Sequence, residues 1–66
     1  MHQEQLMDIK EVAAYLRVKK STIYTWAQEG IIPAFRLGRL WRFRRADLDV
    51  WLESKRHPAT EEKQEN

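Results

Sequence analysis

A chain of 66 residues has room for one small domain, and a domain of that size buries only about 60% of the surface its unfolded chain exposes. Its stability must come from three tryptophans, two tyrosines and two phenylalanines, because the absence of cysteine excludes disulfides and thiolate metal sites. The formal charge of +2 is unevenly sorted: between Arg17 and Arg45 eight basic residues face one acid, Glu29, a net +7 that leaves −5 for the flanks.

That sorting points to a local anionic partner rather than to general stickiness. His2 and His57 lie near opposite ends in polar sequence, with no second ligand at metal spacing, and both are expected to be solvated. No apolar run approaches the roughly 20 residues needed to span a bilayer. The opening MHQEQLMDIK lacks the apolar centre of a secretion signal. The expectation is a cytoplasmic chain with no membrane partner.

Residues 1–6 show no sustained periodicity and are expected to be loosely ordered. Asp8 then opens a helix. It is a favoured N-cap, Glu11 stands three residues on in a capping-box position, and Ile9, Val12, Ala13 and Leu16 form one apolar stripe. Arg17-Val18-Lys19-Lys20 reads as a tight turn, and Ser21 as the N-cap of a second helix that Gly30 closes in the left-handed conformation. Ile23, Trp26 and Ala27 make its buried stripe, leaving Thr22, Tyr24, Thr25 and Gln28 on or near the exposed side. Two short helices joined in this way form a helix-turn-helix. The second begins in Lys-Lys-Ser-Thr, and its N-terminus suits a phosphate. Ser-Thr at a helix start is also ordinary capping, and Tyr24 equally suits a half-buried core edge.

The stretch PAFRLGRLWRFRR, from Pro33 to Arg45, reads as two alternating strands about Gly38. A three-residue loop of Gly38, Arg39 and Leu40 sets Leu37 opposite Trp41, Arg36 opposite Arg42 and Phe35 opposite Phe43, with all four apolar residues on one face. A two-residue loop would set Phe35 opposite Arg42 and scatter the apolar set, so the period-two pattern selects the longer loop. Arg36, Arg42 and Arg44 then share the outer face, with Arg39 at the tip. Like charges placed opposite each other destabilise a sheet. Such a ribbon makes physical sense against a polyanion, and it also fits a solvated basic hairpin.

Ala46 to Glu53 reads as a third helix with the stripe Leu48, Trp51 and Leu52, acids in its first turn, and Lys55 and Arg56 at its end. It is expected to pack on the first helix and the inner face of the hairpin. Residues 57–66, HPATEEKQEN, carry no apolar periodicity and are expected to form a disordered acidic tail. The domain itself is then 7–56.

Helix, turn, helix, hairpin, helix is therefore a mainly α chain with a small β-hairpin. The run DIKEVAAYLRVKKSTIYTWAQEGIIPAFRLGRLWRFRRADLDVWL is similar, over nearly its full length, to the winged helix-turn-helix domains of the excisionase family, relatives of the MerR-type DNA-binding domain. The resemblance rests on four motifs in order: ST-x-Y opening the second helix, EG-x-x-P, R-x-G-x-x-WRF in the wing, and DL-x-x-WL. It implies a recognition helix in the major groove and a wing along backbone or minor groove. On that implication Ser21, Thr22, Tyr24, Thr25 and Gln28 face the major groove, while Arg17, Lys19, Lys20, Arg36, Arg39, Arg42 and Arg44 meet backbone or minor groove. Specificity would come from Thr22, Tyr24 and Thr25, and affinity from the arginines. The chain departs from the pattern at Arg17, where many such turns carry glycine; a positive φ there costs an arginine roughly 1 kcal/mol.

The implied function is sequence-specific binding of double-stranded DNA by a bacterial or phage-type protein, an excisionase-like architectural factor or a small transcriptional regulator. Its implied partners are DNA, neighbouring copies on tandem sites and a recombinase. With the chain ending about ten residues after the third helix, no sensor domain is expected. No nucleophile has a neighbouring base and no glycine loop cradles phosphate, so neither enzyme activity nor a cofactor is expected. The competing reading is a protein-interaction module, an antitoxin or regulator inhibitor, gripping an acidic partner through Tyr24, Trp26 and the wing. RNA binding is disfavoured because base stacking needs exposed aromatics, and the hairpin pattern turns Phe35, Trp41 and Phe43 inward.

Overall fold

The structure, a computed structural model, describes residues 5–57. Its elements are α1 (Ile9–Leu16), α2 (Lys20–Gln28), β1 (Phe35–Leu37), β2 (Leu40–Arg42) and α3 (Arg45–Ser54). The chain is a winged helix-turn-helix, with the hairpin as its wing. The N-terminal segment and the acidic tail lie outside the described residues, save Gln5, Leu6 and His57, which are all exposed. Among the described residues no helix is long and apolar enough to cross a membrane.

The capping box forms as expected: the Asp8 backbone N–H donates to Glu11 Oε1 at 2.9 Å, and the Glu11 N–H donates to Asp8 Oδ1 at 2.8 Å. Val12 and Ala13 on α1, Ile23 and Ala27 on α2, and Ile32, Phe43 and Leu48 are buried and form the core. Ile32 was not anticipated, since Ile31 to Pro33 carries no periodicity. The two helices are joined by Arg17, Val18 and Lys19. Helix α2 starts at Lys20 with Lys19 as N-cap, so Ser21 falls inside the first turn and is not the cap. The reason is the extended backbone of Lys19 (φ −72°, ψ 150°), which already receives the Thr22 and Ile23 N–H groups on its carbonyl.

Arg17 does adopt the left-handed conformation, φ 61° and ψ 46°. Relief of that strain is worth about 1–2 kcal/mol, and the greater freedom of glycine in the unfolded chain offsets about 0.5–1 kcal/mol of it. Arg17→Gly is therefore expected to stabilise the fold by roughly 0.5–1 kcal/mol, raising the midpoint in a thermal melt by a few degrees.

Helix α2 ends as the sequence indicates. Gly30 has φ +72°; its N–H donates to Ala27 O, and the Ile31 N–H donates to Trp26 O at 2.8 Å, the two bonds of a Schellman motif. The Ile31 carbonyl then accepts from Trp51 Nε1 at 2.9 Å, and the Trp26 and Trp51 rings meet at 5.8 Å between centroids. The C-terminal turn of α2 is thereby tied to α3. On the other side of α3, Arg45 stacks over the Tyr15 ring at 4.4 Å and Asp49 accepts from the Tyr15 hydroxyl. Leu48 is buried and Trp51 half-buried, but Leu52 is 38% exposed. The Tyr15 and Trp51 contacts fix the rotation of α3, and they leave Leu52 outside the buried stripe.

The hairpin differs from the sequence expectation. Phe35 pairs with Arg42, Arg36 with Trp41 and Leu37 with Leu40, so the loop is the two residues Gly38 and Arg39. Gly38 has φ +66° while Arg39 stays out of the left-handed region. A positive φ at the first loop position alone is the requirement of a type II′ turn, whose twist suits a two-residue hairpin. The apolar residues are accordingly split between the faces. Trp41 shares its face with Arg36, while Phe35, Leu37 and Leu40 share the other with Arg42. Phe43 is fully buried, and Met7, which precedes the first predicted helix, pairs with it: the Met7 N–H donates to Phe43 O at 2.8 Å and the Phe43 N–H to Met7 O at 2.9 Å.

Candidate nucleic-acid interface

With this register no arginine of the wing faces another, so the like-charge strain expected of the outer face is absent. Instead two of the three aromatics each carry a guanidinium. Arg36 lies over Trp41 at 4.8 Å and Arg44 over Phe35 at 5.1 Å, contacts worth about 0.5–1 kcal/mol where exposed. Phe35 and Trp41 are half-buried beneath them, so of the three rings expected to turn inward only Phe43 is fully buried. Arg36 Nε also donates to Gly38 O at 2.9 Å, fastening the turn, and Arg42 Nη1 donates to Trp41 O at 2.8 Å. Arg44 stands 3.9 Å from Asp47, a surface pair of little strength. Arg39 is exposed at the tip.

Wing and second helix open onto one groove of about 350 Å³. Lys20 and Tyr24 line its α2 wall; Arg39, Leu40, Trp41 and Arg42 line its wing wall; Asp8, Ile9 and Lys10 close one end. Tyr24 is 45% exposed, so the alternative reading of this side chain as part of the core edge does not hold. Ser21, Thr25 and Gln28 are exposed beside it, and Thr22 is half-buried. At roughly 100° per residue, Thr22 points about 160° away from Tyr24 around the helix axis. It belongs to a separate shallow hollow with Ser21, Thr25 and Trp26. The seven basic residues are also divided. Lys20, Arg39 and Arg42 line the groove, Lys19 and Arg17 are exposed in the turn before α2, and Arg36 and Arg44 lie over rings of the wing.

The starts of α1 and α2 contrast in charge. Helix α1 begins with Asp8 and Glu11, the arrangement that suits the positive end of a helix dipole. Helix α2 begins with Lys19 and Lys20, no acid in its first turn, and no side-chain cap. Two cations at that end cost the isolated domain about 0.3–1 kcal/mol each. The signal was legible in Lys-Lys-Ser-Thr, but reading Ser21 as the cap concealed that the helix start lacks one.

The chain resembles several named proteins. A transcriptional repressor, DcmR of Methylorubrum extorquens, is 42% identical over 48 residues, which is 70% of this chain and 18% of the repressor. An uncharacterized protein of Bacillus subtilis, YvgK, is 40% identical over 48 residues, 73% of this chain and 16% of that protein. A putative DNA-binding protein of Mycobacterium tuberculosis, MT0521, is 47% identical over 38 residues, 58% of this chain and 49% of its own length. The chain thus spans at most about half the length of these curated relatives. No solved structure matches it. A family model described as a helix-turn-helix domain matches residues 6–56, from just before the Met7–Phe43 bridge to just past α3. By that match the chain belongs to the excisionase-like family of helix-turn-helix domains.

Proposed function

We propose that the chain binds double-stranded DNA with sequence preference, laying α2 in the major groove and the wing on the adjacent backbone or minor groove. The observation that carries this reading is the uncapped, doubly basic start of α2, whose Lys20 lines the same groove as Arg39 and Arg42. A phosphate placed there would accept from first-turn N–H groups and offset the repulsion between the lysines and the helix dipole. Base reading then centres on Tyr24, Gln28, Ser21 and Thr25, with Thr22 at the margin. Lys19, Lys20, Arg17, Arg39 and Arg42 supply phosphate contacts, and Arg36 and Arg44 do so through guanidinium edges not turned onto their rings. The names of two relatives, a repressor and a putative DNA-binding protein, support DNA binding in a regulatory setting. A single module of this kind buries roughly 600–1,000 Å² on DNA, so neighbouring copies on tandem sites, with or without a recombinase, would raise occupancy.

The test is selection from a random duplex library, with the winners re-measured at two salt concentrations. A short enriched motif is expected, and about seven phosphate contacts give a log-affinity slope near −6.3 per log salt. Weak, featureless binding would overturn the reading and favour the protein-interaction module.

A further inference from the structure

The type II′ register leaves the wing tip with an unusual surface. Leu37 and Leu40 face each other across the two strands and are 50% and 52% exposed. Neither belongs to the core or to the partly buried shell around it. Each forgoes on the order of 1 kcal/mol of burial, and a polar pair could close the same turn. Their mounting is firm: Arg36 bonds the Gly38 carbonyl and stacks on Trp41, so the tip is braced by its own strands. From Gly30 to Arg45 the sequence contains no acid; Arg42 shares the face of the pair, Arg39 lies between them in the loop, and Arg36 stands on the opposite face.

An apolar point flanked by arginines suits a target whose apolar interior lies behind anionic walls. Duplex DNA has that construction, with stacked bases between two phosphate strands. An anionic bilayer shares the chemistry but presents a flat surface. Leu40 lines the same groove as Lys20 and Tyr24, so the tip and the start of α2 address one body that must reach into a concavity. Resting on the DNA-binding reading above, we propose that Leu37 and Leu40 form an apolar wedge that enters a base-pair step from the minor groove and kinks the duplex. Partial unstacking by such wedges bends DNA by about 20–90°. Flexible pyrimidine–purine steps would be favoured at the point of entry.

The experiment uses the full chain and a duplex recovered by the library selection, with 2-aminopurine placed at successive steps and the bend measured by end-to-end energy transfer. Wild type is expected to raise 2-aminopurine fluorescence at one step and to bend the duplex by at least about 20°. L37S/L40S, at exposed positions, is expected to fold normally by circular dichroism, to bind within roughly tenfold of wild type, and to lose both signals. L37M/L40M, which keeps the apolar wedge, is expected to retain them. Binding by wild type without unstacking, or unstacking that persists in L37S/L40S, would overturn the wedge while leaving the DNA-binding reading intact. Failure of wild type to bind any duplex would overturn both. Leucine-dependent binding to phosphatidylglycerol vesicles, with no unstacking of DNA, would assign the tip to a membrane instead.

Discussion

Phe43→Ala is expected to leave the protein without a cooperative thermal transition at room temperature. The side chain is fully buried between the helices, and its backbone holds Met7 through two hydrogen bonds. Truncating a buried phenylalanine costs about 3–5 kcal/mol, which is comparable to the ~3–5 kcal/mol a core of this size supplies in total. Phe43→Leu should instead cost about 1–1.5 kcal/mol and keep a sharp transition. Leu37→Ala on the same hairpin should change stability by about 0.5 kcal/mol or less. Melts followed by far-ultraviolet circular dichroism separate the three. A wild-type-like transition for Phe43→Ala would show that the hairpin is not anchored through this ring.

Tyr24→Ala and Arg39→Ala are expected to lower affinity for a selected duplex in different ways. Tyr24 projects into the groove from the middle of α2, where a side chain of the recognition helix would meet base edges. Its loss should weaken binding to the selected site by about 1–3 kcal/mol, roughly 5- to 150-fold, and leave binding to an unrelated duplex nearly unchanged. Arg39, exposed at the tip, should act through phosphate. Its removal should weaken both duplexes equally and reduce the magnitude of the salt slope by about 1. Fluorescence anisotropy on the two duplexes at two salt concentrations gives all the quantities. Equal weakening of both duplexes by Tyr24→Ala would count against base reading by that residue.

Local chemistry carried the helices. The Asp8–Glu11 capping box, the 3.6-period stripes of α1 and α2, and the glycine closing α2 each depend on residues within four positions of one another, and each is found in the structure. The left-handed conformation of Arg17 was signalled by the family resemblance, since many such turns carry glycine at that position. The wing was misread because its register depends on what lies beneath it. Grouping Phe35, Leu37, Trp41 and Phe43 on one face assumed that the whole ribbon rests on the core. In the structure Phe43 is buried and Trp41 half-buried, while the Leu37–Leu40 end is half-exposed. Where no core lies beneath, alternation no longer selects a register, and the turn preference of Gly38 decides.

By itself, the sequence determined the element order, two of the helix ends and the basic middle of the chain, because caps, periodicity and charge are written within a few residues. Only the tertiary structure decided that Met7 closes on Phe43, that Trp51 bonds Ile31, that the wing arginines lie on aromatic rings, and that Tyr24 and Arg39 line one groove. Each of these joins residues far apart in the chain or across a turn, and their partners are fixed by which faces the seven-residue core leaves free. In so small a domain a change of one residue in the length of the wing loop reassigns every cross-strand neighbour, and local pattern cannot count that residue.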